Sequence, residues 1–195
     1  MTAAFGPFSF ERVVRAAEKV QWRLRRATSA LEAGGIAYAV GGDVAVAVWA
    51  ASVDDAAVRN AVSVEFLIRR DNLAAVTVAL EGVGFIYRHV RGEDMFLDGP
   101  VASGRGAVHV IFAGERVRAQ ELLPNPDVLD SEMADGFRVL DLQSLVQIKL
   151  TAFRDKDRTH LRDLIDLELI DAGWVERFPA ELGERLQLLI DTPEG

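Results

Sequence analysis

The sequence predicts an α/β fold of the α+β kind: a mixed sheet flanked by helices, followed by a helical C-terminal part. Three observations predict it. Strand-length apolar runs alternate with helical periodicities through most of the chain. The run YAVGGDVAVAVWA sets a double glycine between a strand and a helix. From residue 137 the pattern changes, and FRVLDLQSLVQIKLTAFRDKDRTHLRDLIDLELID reads as successive helices. Alternation of this kind places helices against a sheet. The expected parts are an N-terminal helix within residues 1–35, a sheet-bearing part over 36–136 and a helical part over 137–195, packed as one compact unit.

Residues 10–33 read as a long helix. Phe10, Val13, Val14, Ala17, Val20, Leu24, Ala27 and Leu31 recur at three- and four-residue steps. Ser9 is the candidate N-cap, with Arg12 where a capping box would carry an acid. Gly34-Gly35 ends the helix, because glycine takes the left-handed C-cap conformation at little cost. Arg23, Arg25 and Arg26 read as a solvated helix face. Ile36–Val40 is a short apolar strand running into Gly41-Gly42, and Asp43 is the expected cap of a helix over Val44–Ala51.

The next run, AVSVEFLIRR, reads as a strand. Ser63 and Glu65 lie two apart and share one face, while Val62, Val64, Phe66 and Ile68 share the other. Residues 71–81 look helical, closed by Gly82 and Gly84. Phe85–Val90, Asp94–Leu97 and Ala107–Phe112 are expected strands, with a turn at Asp98-Gly99-Pro100 and a mobile loop over 99–106. Residues 114–136 read as a long connection. Asp141 is the expected cap of a helix reaching Arg154, a second helix follows from about Asp157 to Ile170, and a third lies within 174–190, starting after Pro179.

Composition sets the outer limits. The 195 residues are 50% hydrophobic and 27% charged, a globular balance. No apolar run approaches the ~20 residues needed to span a bilayer. The first residues, MTAAFGPFSFERVVR, lack the basic-then-apolar pattern of a secretory signal. With no cysteine, a cytoplasmic location is expected and thiolate metal sites are excluded. The net charge of −8 argues against broad nucleic-acid binding, which needs a basic surface to displace counterions. A small anion held by a few focused cations stays compatible with it.

The polar groups with chemical potential are few. A glycine turn opening a helix receives phosphate, and Asp43 and Ser63 stand beside it. Lys149 shares the apolar helix face with Leu145, Val146 and Phe153, so its ammonium needs water or an anion. It is read either as facing a ligand or as paired with a structural carboxylate, Asp163 or Asp166. Arg154, Arg158 and Arg162 repeat every four residues. Arg162–Asp166 is a candidate surface pair, and Asp163 is the acid expected to turn inward and orient Lys149 or Arg154. His109 is read as a structural histidine or as a ligand. No P-loop, GxSxG or GxGxxG occurs.

The order of glycine pair, helix and strand resembles the nucleotidyltransferase superfamily and, within it, the AbiEii toxin-like group; the phrase IKLTAFRDKDRTHLRDLIDL resembles that group's helical segment. The resemblance covers roughly residues 36–172. It implies Gly41 and Gly42 on the phosphates, with Asp43, Ser63, Lys149 and Arg154 around the nucleotide. It implies Glu65 and Lys149 as catalytic residues, and Mg²⁺ or Mn²⁺ on Glu65 and His109. The family's Asp-x-Asp metal pair is degenerate here, since its positions hold Ser63 and Glu65, and His109 stands where a third acid is expected. The activity implied is transfer of a nucleotide from NTP to an acceptor such as RNA, with an antitoxin protein as a possible partner. The alternative is a catalytically dead module that binds a nucleotide or a partner.

Overall fold

A computed structural model describes residues 10–193; the expected Ser9 cap lies outside them. The element order opens with α1 (Phe10–Ala33), β1 (Tyr38–Gly41), α2 (Gly42–Ala51), β2 (Val64–Ile68) and α3 (Leu73–Gly82). There follow β3 (Ile86–Val90), β4 (Glu93–Leu97), β5 (Val108–Phe112), β6 (Ser131–Ala134) and β7 (Phe137–Leu140). The chain closes with α4 (Leu142–Ala152), α5 (Asp155–Asp166) and α6 (Ala180–Asp191). The seven strands form one mixed sheet in the order β3-β4-β5-β2-β1-β7-β6. β2 runs parallel to β5 and β1 parallel to β7, while the other neighbours are antiparallel. The expected fold class is what forms. Among the described residues no helix is long and apolar enough to cross a membrane.

α1 buries Val20, Leu24, Ala27 and Leu31, the second half of the stripe its periodicity predicts, whereas Val14 in the first half is 38% exposed. The solvated reading of its arginines holds for Arg25 alone. Arg23 is only 6% exposed, because it falls three residues after Val20 and four before Ala27, on the buried stripe. Arg23 and Arg26 both turn to Asp98, beyond the end of β4.

β2 is shorter than expected. Val64, Phe66 and Ile68 are buried, as the alternation requires, but Val62 precedes the strand and is 62% exposed. Tyr38 packs on Phe66 and donates its hydroxyl hydrogen to Glu32 at 2.9 Å. The long connection expected over 114–136 contains β6, which pairs with β7 in a hairpin. The sheet therefore continues through Leu140, beyond the expected division at residue 136. The 99–106 loop carries a short 3₁₀ turn at Gly104–Gly106.

The helical part differs from expectation in its joints. Asp141 does cap α4, accepting from Ser144 N at 2.7 Å. The helix stops at Ala152, because Phe153 takes a left-handed conformation (φ 47°), and Arg154 becomes the N-cap of α5. The expected third helix divides into a 3₁₀ segment at Ala172–Arg177 and α6 after Pro179. Arg162 donates to the Thr192 carbonyl at 3.2 Å instead of pairing with Asp166. Two apolar clusters result. One is built on the sheet, α1 and α3; the other joins Val146 and Leu150 of α4 to Leu161 and Leu164 of α5 and Leu182, Leu186 and Leu189 of α6. Trp49 packs against both.

Candidate functional site

The candidate site starts at the turn between β1 and α2. Gly41 closes β1 and Gly42 opens α2 at φ +60°, a conformation that side chains other than glycine's take at a cost. Close approach gives a second reason for the pair. A Cβ on Gly41 would lie 3.2 Å from Glu65 Oε1, and one on Gly42 would lie 3.1 Å from Glu65 Cβ. Gly41 pairs with Glu65 across the β1–β2 ladder, so the glycines make room for that carboxylate at the N-terminus of α2. Asp43 lies inside the helix and not at its cap: Gly41 occupies the N-cap position. The Asp43 carboxylate binds Lys156 at 2.6 Å and accepts from Val62 N at 3.4 Å.

A cavity of about 530 Å³ opens beside this turn. Gly42, Asp43, Ser63, Glu65, His109, Lys149 and Arg154, seven of the eight site residues expected from the sequence, line it; Gly41 adjoins it through Glu65. Lys156 and Asp157 line it as well. The volume falls within the ~300–1,000 Å³ of small-molecule pockets.

Lys149 is 3% exposed, and its partners are not the expected Asp163 and Asp166. Its Nζ donates to His160 Nδ1 at 3.0 Å and lies 3.8 Å from Asp157. Asp163 instead receives two hydrogen bonds from Arg59, at 2.6 and 2.8 Å. Arg154 is held by Asp157, which accepts from its Nε at 2.8 Å and its backbone N at 3.2 Å. The reason is the break at Phe153. It folds α5 back so that Asp157 and His160, one turn apart, both face Lys149.

The charges set one another. Burial pushes the Glu65 carboxyl above the usual range, against the opposing pull of Lys149, Arg154 and His109. Burial likewise lowers the Lys149 ammonium, with Asp157 and Glu65 restoring part of the loss. His160 is pushed down to about 4 by burial and by Lys149, so near neutrality it is an uncharged ring accepting from Lys149. The Asp157 hydrogen bond holds Arg154 firmly cationic.

Glu65 and His109 are direct neighbours in the parallel β2–β5 pairing. His109 directs Nε2 to the Gly104 carbonyl at 3.1 Å. Ser63 contributes no charge, and Asp43 is already paired. Among the described residues no three His, Cys, Asp or Glu side chains group as a metal site. One carboxylate with a raised pKa, opposed by Lys149 and Arg154, does not fit Mg²⁺, which binds through carboxylates and phosphate oxygens. The residues that sequence reasoning missed are Lys156, Asp157, His160 and Arg59. Lys156 and His160 stand four apart, on one helix face, the one signal that pointed to them.

No protein-family model matches the chain, and no curated protein matches it significantly. Solved structures do. The antibiotic-resistance factor ANT(2'')-Ia aligns at TM-score 0.56 and 10% identity, over 92% of this chain and 94% of its own. A candidate nucleotidyltransferase from H. pylori aligns at TM-score 0.53 and 13% identity, over 96% of this chain and 98% of its own. JHP933 from Helicobacter pylori aligns at TM-score 0.52 and 16% identity, over 96% of this chain and 78% of its own. The chain shares its fold with these three proteins.

Proposed function

We propose that the groove binds the triphosphate of a nucleotide, and that the chain is a nucleotide-binding protein on a nucleotidyltransferase-like fold without metal-dependent transfer. One observation carries the reading: Lys149, Arg154 and Lys156 line the groove beside the glycine turn, each paired with Asp43 or Asp157, and Glu65 is the one acid at the expected metal positions. Phosphates would lie between these cations and the Gly41–Gly42 turn, where the N-terminus of α2 adds its positive dipole. The raised pKa of Glu65 reduces the repulsion that a fully ionised carboxylate would exert there. Transfer at the α-phosphate draws most of its charge neutralisation from metal held between carboxylates, and this donor set does not supply that.

A second reading has its own support. Glu65 beside His109 offers one oxygen and one nitrogen, a pair that suits Mn²⁺ better than Mg²⁺. In that reading the chain is a transferase of the AbiEii-like kind, passing a nucleotide from NTP to an acceptor such as RNA and restrained by an antitoxin.

Calorimetric titration with each NTP, with and without Mg²⁺ and Mn²⁺, separates the two. The expected result is binding without metal, weakened at least about ten-fold by Arg154→Ala, and no transfer from labelled NTP to RNA. Binding only with Mn²⁺, lost in both Glu65→Ala and His109→Ala and accompanied by transfer, would establish the second reading.

A further inference from the structure

A second hollow of about 260 Å³ lies behind the groove, between α2, α5 and the connection before β2. Asp43 and Lys156 line both hollows, so their ion pair is the partition between them. The floor is apolar and low, formed by Val46, Ala47 and Ala50 of α2. Val62 contributes an exposed apolar edge on the open side. At the inner end stands His160, 8% exposed. Its Nδ1 accepts from Lys149, which fixes the hydrogen on Nε2, and that nitrogen has no protein partner among the described residues. The Asn60 amide lines the hollow too, with a donor and an acceptor to offer.

We propose that this hollow is the base subsite of the nucleotide whose phosphates lie in the groove, taking a planar heteroaromatic ring on its alanine floor with His160 Nε2–H as a donor to a ring acceptor. The proposal rests on the phosphate reading of the groove. Size supports a ring: about 260 Å³ falls below the ~300–1,000 Å³ of pockets that hold whole ligands. A flat ring also buries the apolar surface of Ala47 and Val62 while meeting one buried donor, the combination that gives small-molecule sites their orientation. The chain of contacts is continuous. Lys149 faces the groove and holds His160, which faces the hollow, so one ion would orient both ends of the ligand.

The test compares ATP, GTP, CTP and UTP with inorganic tripolyphosphate, the groove's share of the ligand alone, by calorimetry. At least one nucleotide is expected to bind the wild type about ten-fold or more tightly than tripolyphosphate. Ala47→Leu fills the floor and should bring that nucleotide to within about two-fold of tripolyphosphate, with tripolyphosphate unchanged. Asn60→Ala, in an exposed connection where folding is not at stake, should reduce the preference among bases. Nucleotide and tripolyphosphate binding equally to the wild type, or Ala47→Leu keeping the full nucleotide preference, would overturn the subsite. Failure of tripolyphosphate to bind while a nucleotide does would overturn the groove reading instead, and Ala47→Leu would then decide the hollow by itself.

Discussion

Gly42 and Glu65 constrain each other. A side chain at Gly42 meets two costs, the positive φ of 60° and the contact 3.1 Å from Glu65 Cβ. Gly42→Ala is expected to destabilise by about 1–3 kcal/mol, measured by urea unfolding. The double variant with Glu65→Ala should keep most of that loss, because the neighbouring Cβ survives and the backbone cost is untouched; full recovery would mean that the Glu65 carboxylate alone dictates the glycine. His160 gives a prediction in pH. Its folded pKa of about 4 lies below the ordinary 6.5, so the unfolded chain binds the proton first as pH falls. Stability from the neutral ring is complete above about pH 6.5 and is lost progressively down to about pH 4. Between pH 7 and 4 the wild type should lose on the order of 2–3 kcal/mol more than His160→Gln, from urea melts at each pH. Equal losses in the two proteins would show that His160 does not titrate in that window.

At the scale of elements, the connection before β2 is tied to α5 by Arg59 and Asp163. The pair is largely exposed on the Arg59 side, so Arg59→Ala should cost under ~1 kcal/mol of global stability. Limited proteolysis within residues 52–63 should nevertheless accelerate several-fold, because the strap loses its anchor while the core keeps its packing; an unchanged cleavage rate would mean that other contacts hold it. Which elements the sequence disclosed follows from how local their causes are. The α1 stripe and the β2 alternation depend on neighbours in the chain, and both could be read directly. The β6–β7 hairpin is legible in principle: Asp135-Gly136, both at positive φ, is a strong turn signal between strands, but Pro124 and Pro126 ahead of it break the strand pattern and make the stretch read as a long connection. The end of α4 was not legible. A left-handed Phe153 is rare for a bulky residue, and without that break the partners of Lys149 cannot be deduced. Glu65, Lys149 and the glycines therefore emerged from sequence, whereas Asp157 and His160 required knowledge of how α5 folds back.

For the molecule as a whole, the two apolar clusters meet at Trp49, which packs on both and donates from Nε1 to the Leu140 carbonyl at 3.0 Å. That joint predicts a single cooperative unfolding transition, with tryptophan fluorescence and far-UV circular dichroism coinciding along a urea titration. Trp49→Ala should separate the two curves by weakening the joint; a wild type with non-coincident transitions would show two independently melting units. The place of β7 in the sheet has a further consequence, in time. β1 lies between β2 and β7, and the Tyr38 hydroxyl receives a hydrogen bond from Arg138 N, 100 residues away. While the chain is being synthesised, β1 can meet β2 early, but its other edge stays bare until Phe137–Leu140 has left the ribosome. An unpaired apolar edge of that kind is a template for pairing with other chains. Nascent chains halted between β2 and β7 should therefore be the aggregation-prone and chaperone-dependent intermediates of this protein, and release of the last strand the step that makes them safe.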